Sequence, residues 1–229
     1  MPLGDVGGSE GATVRSDPTD YARAVSIDFC DDRGEHGFSW IVDEPMTRTS
    51  HVLAAGGRVW LVDPVRHEPA LERARALGEL TAVVQLLDRH NRDCATLAEE
   101  LGLPHLVVPD QLAGTPFEVV PVRRSRRWRE VALWWPAERT LVIAESVGTN
   151  RFFTGAREPV GVHLLMRLSP PRDALGHLEP DHLLVGHGEG VHGPEAAAAL
   201  RSALATARSG LVHLVPRIPA LAVDAVRRR

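Results

Sequence analysis

The stretch Pro180-Asp-His-Leu-Leu-Val-Gly-His-Gly188 carries the strongest structural signal in this sequence. Its apolar centre, Leu183-Leu-Val185, predicts a short buried strand. Gly186 and Gly188 flank His187, and glycine allows the backbone to turn sharply beside a ligand. The stretch therefore predicts a strand that ends in a histidine held for binding.

Around this stretch, the spacing of apolar residues predicts strands and helices in alternation. In the first half, strands are predicted over residues 38–42, 51–55, 58–62, 80–87 and 106–109, and helices over 68–77 and 92–101. Gly56-Gly57 joins two of these strands in a hairpin. In the second half, strands over 117–122, 130–135 and 140–144 are separated by short polar turns, so we expect antiparallel pairing. A helix is predicted from Pro194 to about residue 207.

Four of these segments, in this order, resemble the metallo-β-lactamase superfamily. They are the early strand that stops at Asp63-Pro64, the apolar strand 80–87, the strand–turn–strand of 130–145 and the Gly-His-Gly of 186–188. The resemblance covers residues 38 to about 207 and implies an α/β fold, the four-layer αββα sandwich. We expect one domain over residues 21–229, after a flexible Gly-rich leader over residues 1–20. The resemblance implies a site in the cleft between the loop edges of the two sheets, where a small-molecule ligand would bind.

The superfamily's diagnostic His-x-His-x-Asp-His motif is altered in this chain. By the resemblance, His90 matches the last histidine of the motif, whereas Gln85, Leu87 and Arg89 replace the first two histidines and the aspartate. Glu145 replaces the bridging aspartate, and His187 matches the ligand histidine of the Gly-His-Gly segment. The resemblance thus implies one metal site made by His90, Glu145 and His187, which suits a single zinc or iron ion. Arg89 is expected to neutralise Glu145 and fill the remaining volume.

Other donors offer alternatives. Asp88 and Asp93 would converge with His90 in a different register, although an acidic residue at position 93 is also favoured by the dipole of the helix that begins there. His192 either lines the pocket beside His187 or caps the following helix. The remaining histidines, among them His51 and His163, are expected in the core or at the rim, and Cys94 is expected to be a buried small apolar residue.

Composition excludes several classes of protein. The net charge is −4, with 26 Lys and Arg against 30 Asp and Glu, so there is no broad basic excess and nucleic acid is not the expected partner. The two cysteines do not form a disulfide framework, and no apolar run reaches the ~20 residues that cross a bilayer. We therefore expect a cytoplasmic protein without a membrane partner. The turn at residues 123–129 is nevertheless locally basic, because five arginines flank Trp128 there.

Three functions are consistent with these features. The first is a non-catalytic member of the fold, or at most one with a single metal, because the altered motif removes the first metal site. The second is a metal-dependent hydrolase of an ester, thioester or phosphoester that uses one metal. The third is binding of RNA or a nucleotide through the arginine-rich turn.

Overall fold

Two β-sheets packed face to face form the centre of the structure, a computed structural model that describes residues 26–90, 92–155 and 157–211. The predicted leader at residues 1–20 and the chain after residue 211 lie outside the described residues. Among the described helices, none has both the length and the apolar character that crossing a bilayer requires.

The first sheet has six strands, which are neighbours in the order in which they follow one another along the chain. They are β1 (Ile27–Cys30), β2 (Gly37–Val42), β3 (Thr49–Ala55), β4 (Arg58–Val62), β5 (Glu79–Gln85) and β6 (His105–Val107). Strands β1 to β4 pair antiparallel, and Gly56 and Gly57 both take the positive φ that a tight hairpin turn needs. Strands β4, β5 and β6 pair parallel, because the helices α1 (Glu68–Leu77) and α2 (Cys94–Leu101) make the crossovers.

The second sheet has five strands in the order β13–β12–β9–β8–β7. They are β7 (Glu118–Ser125), β8 (Trp128–Trp135), β9 (Thr140–Ile143), β12 (His182–Val185) and β13 (Val191–His192). Strands β9 and β12 are parallel neighbours, and the other pairs are antiparallel. Between β9 and β12 the chain forms the short elements β10 (Val147–Gly148), α3 (Arg151–Thr154), β11 (Gly161–Val162) and α4 (Arg172–Leu175). Helix α5 (Pro194–Thr206) follows β13.

Alternating side chains of the strands bury both faces of each sheet. In β4, Val59 and Leu61 pack with α1 and α2, whereas Trp60 and Val62 face the second sheet. The ring of Trp60 meets Phe117 with centroids 4.9 Å apart, and Phe117 in turn meets Trp135 of β8 at 5.2 Å. Helix α5 covers the outer side of the second sheet with buried alanines and leucines. These layers confirm the predicted four-layer αββα sandwich.

The structure differs from the sequence-based prediction mainly at the ends of elements. Helix α2 begins at Cys94 rather than at residue 92, and Arg92 lies in the preceding loop, where its side chain contacts both sheets. The arginine-rich segment is not a wide turn, because β7 and β8 extend through most of it and only residues 126–127 turn. Strand β1 was not predicted because its two central residues are exposed, and β10, β11 and β13 were not predicted because each has only two residues.

Candidate metal centre

Three predicted donors meet at the edge where the two sheets join. His90 lies in the loop after β5, Glu145 follows β9, and His187 follows β12. The Nε2 atoms of His90 and His187 lie 2.7 Å and 2.9 Å from the same oxygen, Oε2 of Glu145. These three side chains form the one potential ion-binding group of His, Cys, Asp or Glu found in the described residues. Glu145 and His187 come together because β9 and β12 are parallel neighbours that end at the same edge.

The two glycines around His187 are required by close backbone contacts. A Cβ atom on Gly186 would lie 2.1 Å from the carbonyl oxygen of Ala144. Gly188 has a φ of +101°, and a Cβ atom there would lie 2.1 Å from Oγ1 of Thr149. The Gly-His-Gly sequence therefore allows the end of β12 to pass directly against the chain after β9.

Neighbouring acceptors set the orientation of both imidazole rings. Nδ1 of His90 lies 3.2 Å from a carboxylate oxygen of Asp63, and Nδ1 of His187 lies 2.8 Å from the carbonyl oxygen of Met46. A carboxylate or a carbonyl can only accept a hydrogen bond, so Nδ1 carries the proton in both rings. In the neutral form of each ring, the Nε2 lone pair then points at Glu145. This is the arrangement in which a carboxylate or carbonyl behind a histidine orients it for a metal.

Electrostatics favour a charged Glu145. Burial alone would raise the pKa of Glu145, but hydrogen bonds from His187 and His90 outweigh it and hold the pKa well below its usual range. Burial and the Arg92 guanidinium lower the pKa of His90, yet its contacts with Asp63 and Glu145 outweigh them and raise it. The carboxylate of Glu145 is thus a strong acceptor in a largely buried position.

A third histidine, His163, contacts the other oxygen of Glu145. Its Nε2 lies 3.5 Å from Oε1 of Glu145, while its Nδ1 accepts a hydrogen bond from the backbone N–H of Leu165. The proton of neutral His163 therefore lies on Nε2 and faces Glu145. The prediction placed His163 in the core or at the rim, and the structure agrees, because its ring is 22% exposed and lies beside Glu145.

Glu130 supports the loop that carries Glu145. It is fully buried in β8, and its carboxylate accepts hydrogen bonds from the backbone N–H groups of Glu145 and Ser146, each at 2.9 Å. The hydroxyl of Ser146 and the indole N–H of Trp128 also donate to it, at 3.0 Å and 2.8 Å. Burial raises the pKa of Glu130, although the four hydrogen bonds it accepts from Glu145, Ser146 and Trp128 favour its ionised form.

Arg92 links the two sheets beneath the donors. Its guanidinium donates to the carbonyl oxygens of Thr49 and Asp63 on the first sheet and to that of Gly186 on the second. Burial lowers the pKa of Arg92, and the nearby Asp63 carboxylate opposes this effect. Arg92 had no role in the sequence-based prediction, whereas in the structure it joins the two sheets.

The alternative ligands do not join the donor group. The carboxylate of Asp93 accepts from the backbone N–H of Arg66 at 2.7 Å and lies at the start of α2. His192 is on the edge strand β13, 2.9 Å from Asp31. Asp88 pairs with Arg89 at 3.6 Å and is not part of the group. In the structure Asp88 and Asp93 therefore lie outside the group that His90 forms with Glu145 and His187, and His192 contacts Asp31.

The positions of the altered motif are filled by side chains with structural contacts. Gln85 donates to the carbonyl oxygen of Leu87 and pairs with His105, and Leu87 is buried in the core between the sheets. The guanidinium of Arg89 lies over the ring of Trp128, 4.5 Å from its centroid. The expectation that Arg89 neutralises Glu145 is therefore wrong, because the described partners of that carboxylate are histidines.

Two further expectations concern buried residues, and the structure agrees with both. Cys94 is fully buried on the apolar face of α2. His51 is buried in β3, with Nδ1 at 2.8 Å from the hydroxyl of Ser39. Asp63, Glu130 and Arg92 were missed as site residues. A lone carboxylate in the apolar strand β8 was the one sequence signal that could have identified Glu130.

A cleft of about 510 Å³ lies beside the donor group. Its wall includes Thr47, Thr149, Asn150 and Gly188, which also hold the backbone around His187 in place. None of the three donors lines it, but its wall includes Gly188, the residue after His187. A small-molecule ligand in an inter-sheet cleft stays a prediction.

Comparison with known proteins gives matches by structure only. No protein-family model matches the sequence, and no curated protein matches it. The fold is similar to a crystal structure of the DIM-1 metallo-β-lactamase exposed to ceftazidime, with a TM-score of 0.54 and 15% identity over 80% of this chain and 99% of that one. A putative diflavin flavoprotein A 5 fragment from Nostoc sp. PCC 7120 matches with a TM-score of 0.58 and 14% identity, over 82% of this chain and 99% of that one.

A third similar structure is the metallo-β-lactamase FIM-1 from Pseudomonas aeruginosa in its mono-zinc form. It matches with a TM-score of 0.51 and 9% identity, over 80% of this chain and 97% of that one. At such low identity these matches establish a shared fold and leave the function open.

Proposed function

The chain has the metallo-β-lactamase fold, and we propose that it holds one zinc or iron ion between His90, Glu145 and His187 and acts as a single-metal hydrolase. This proposal develops the second of the three functions that the sequence allows. It rests on the donor atoms at the junction of the two sheets, and not on the fold alone.

The observation that supports this proposal most strongly is that three hydrogen-bond acceptors lie close together. The Nδ1 protons of His90 and His187 are committed to Asp63 and to the Met46 carbonyl, so both neutral rings present lone pairs to the Glu145 carboxylate within 2.9 Å. Such a group needs positive charge, supplied either by a metal ion or by protons on the two Nε2 atoms. A divalent ion is a cation that histidine nitrogens and a carboxylate bind well.

The donor set also fits a catalytic ion better than a structural one. Three protein ligands leave a coordination position free for water or substrate, as catalytic zinc sites do. A zinc or iron ion bound there would act as a Lewis acid and lower the pKa of water, which is the chemistry that ester, thioester or phosphoester hydrolysis requires. In this chain Asp63 orients His90, and His163 and Glu130 hold Glu145 in place.

One ion is proposed rather than two. Gln85 and Leu87, which the resemblance aligns with ligands of the first site, are used in packing and hydrogen bonds. Arg89 adds a positive charge close to that position, which disfavours a second cation. The mono-zinc form of FIM-1 is consistent with a single ion in this fold.

A non-catalytic protein remains the second candidate because the same contacts allow a metal-free state. Protons on Nε2 of His90 and His187 would turn both contacts with Glu145 into charge-assisted hydrogen bonds. Such a protein would keep the fold without needing an ion.

The test is hydrolysis of chromogenic esters, thioesters and phosphodiesters by protein reconstituted with zinc, iron or manganese. Activity with at least one substrate is expected to depend on added metal, to disappear in His187→Ala and to persist in His192→Ala, since His192 contacts Asp31 instead. Metal-independent hydrolysis, or equal activity in wild type and His187→Ala, would contradict the proposal.

A further inference from the structure

The hairpin between β7 and β8 concentrates positive charge at one place. Five arginines occur within the seven residues 123–129, a segment that we call the arginine-rich tip. Only residues 126 and 127 form the turn, and the flanking arginines lie on the paired strands. Residues 124, 126, 127 and 129 of the tip are exposed. The positive charge of the tip is therefore available to a ligand.

Little of this charge is neutralised by the protein. Arg124 pairs with Asp110 at 2.8 Å. In the part of the chain that the structure describes, no carboxylate lies within ion-pair distance of the other four arginines of the tip. Arg124 also stands directly opposite Arg129 in the strand register, and like charges in that position destabilise an antiparallel pair. The arginines of the tip repel one another in the free protein, and a bound anion would relieve this repulsion.

The arginine-rich tip adjoins the candidate metal centre through a continuous series of contacts. Trp128 begins β8, and the ring of His163 lies 5.0 Å from its ring, centroid to centroid. His163 in turn contacts Glu145. The backbone N–H of Asp88, in the loop that leads to His90, donates to the carbonyl oxygen of Arg129 at 3.0 Å. These contacts place the tip next to the loops that carry the donor group.

Arg89 extends the positive surface toward the site. Its guanidinium lies over Trp128, its side chain is 46% exposed, and its one ion pair, to Asp88, is long at 3.6 Å. Arg89 therefore lies between the arginine-rich tip and the histidines.

We propose that the arginine-rich tip and Arg89 form a binding surface for the phosphate groups of a ligand whose reactive bond reaches the metal centre. Guanidinium groups bind phosphate through paired N–H donors, and several of them in one place suit a ligand with more than one phosphate. Trp128 is only 8% exposed and is covered by Arg89, so it offers no free face on which a base could stack. The surface therefore recognises phosphate groups and does not distinguish one base from another. The site of reaction rests on the proposed metal function, whereas phosphate binding does not.

Two sources could supply such phosphates, a nucleotide or single-stranded nucleic acid, and their binding differs in length dependence. The probes are pyrophosphate, ADP and fluorescein-labelled oligouridylate of about 6 and about 12 nucleotides. With four arginines in contact, oligouridylate affinity should fall roughly 50-fold between about 50 mM and about 200 mM salt. If affinity increases from the shorter to the longer oligouridylate, the ligand is a nucleic acid. If ADP binds as tightly as either oligouridylate, the additional phosphates contribute nothing and the ligand is a nucleotide.

The variant Arg126→Ser/Arg127→Ser removes two charges from the turn, and Arg75→Ser/Arg201→Ser removes two from exposed positions on α1 and α5. Binding is expected to weaken at least about sevenfold in the first variant, with about half the salt dependence, and to be unchanged in the second. Loss of affinity to the same extent in both variants, or no binding of any probe by wild type, would overturn the proposal. Binding is measured on wild-type protein treated with a chelator, so phosphate binding by the tip is tested without the metal and a failure of the metal proposal is recognised separately.

Discussion

Replacing Glu130 by glutamine tests whether a buried carboxylate positions the metal ligand Glu145. The wild-type carboxylate accepts four hydrogen bonds, three of them from Glu145 and Ser146 and one from Trp128. A glutamine has one oxygen and one NH₂ group. If its oxygen keeps the three hydrogen bonds from Glu145 and Ser146, its NH₂ group faces the indole N–H of Trp128, and this buried N–H loses its acceptor.

The expected loss of stability follows from these contacts. One unsatisfied buried donor costs roughly 1–3 kcal/mol, and three bonds that change from charge-assisted to neutral lose about 1 kcal/mol each. Relief from burying a charge offsets part of this loss. We therefore expect Glu130→Gln to lower the free energy of unfolding by about 2–4 kcal/mol. Because the Glu145 loop shifts, metal affinity should fall about 10- to 100-fold.

The assay is urea unfolding of metal-free protein, combined with a metal titration against a chromophoric chelator. The control is Glu138→Gln, since Glu138 lies at a partly exposed turn and its described ion pair is with His36, at 3.4 Å. That variant should stay within about 1 kcal/mol of wild type. If Glu130→Gln unfolds with the same free energy as Glu138→Gln and binds metal like wild type, the proposed role of Glu130 is refuted.

Three further substitutions test other parts of the site. Asp63→Asn should weaken metal binding about 10- to 100-fold in a chelator competition, because an amide can place a donor against the Nδ1 proton of His90, and unchanged affinity would contradict this. Arg92→Lys should lower the free energy of unfolding by about 2–4 kcal/mol, since one ammonium group cannot reach all three backbone carbonyls. An unchanged free energy of unfolding would show that Arg92 does not stabilise the contact between the sheets. Burial lowers the pKa of His51 from 6.5 to about 4. When the pH is lowered below about 6.5, His51 gains a proton in the unfolded chain but not in the folded chain, so the free energy of unfolding decreases. Urea unfolding of wild type between about pH 7.5 and about pH 5 should show a loss about 2 kcal/mol larger than in His51→Gln, and parallel profiles would argue against it.

The sequence predicts most of the fold because the main elements follow local rules. Helix α1 occupies the predicted residues 68–77, between the strand stop at Asp63-Pro64 and the close approach of Gly78 to Gly57. Strands such as β4 alternate apolar side chains between two buried faces, which produces a continuous apolar run. By contrast, β13 has two residues and depends on pairing with β12, so no local pattern marks it.

The candidate site could be predicted only in part. His90, Glu145 and His187 were identified from motif positions, and the structure brings them together. Asp63 looked like a strand stop, and its contact with His90 depends on a fold that brings together residues 27 positions apart. The roles of Arg92 and His163 likewise depend on contacts between distant strands. Local sequence patterns carry no record of such contacts.

The most direct test of a single-metal centre is the metal content of the 229-residue chain, purified without chelators or a histidine tag. We predict about one zinc or iron ion per chain in wild type and in His192→Ala, and none in His187→Ala. Wild-type protein that stays free of metal after incubation with excess zinc, iron or manganese would contradict the account and favour the non-catalytic alternative.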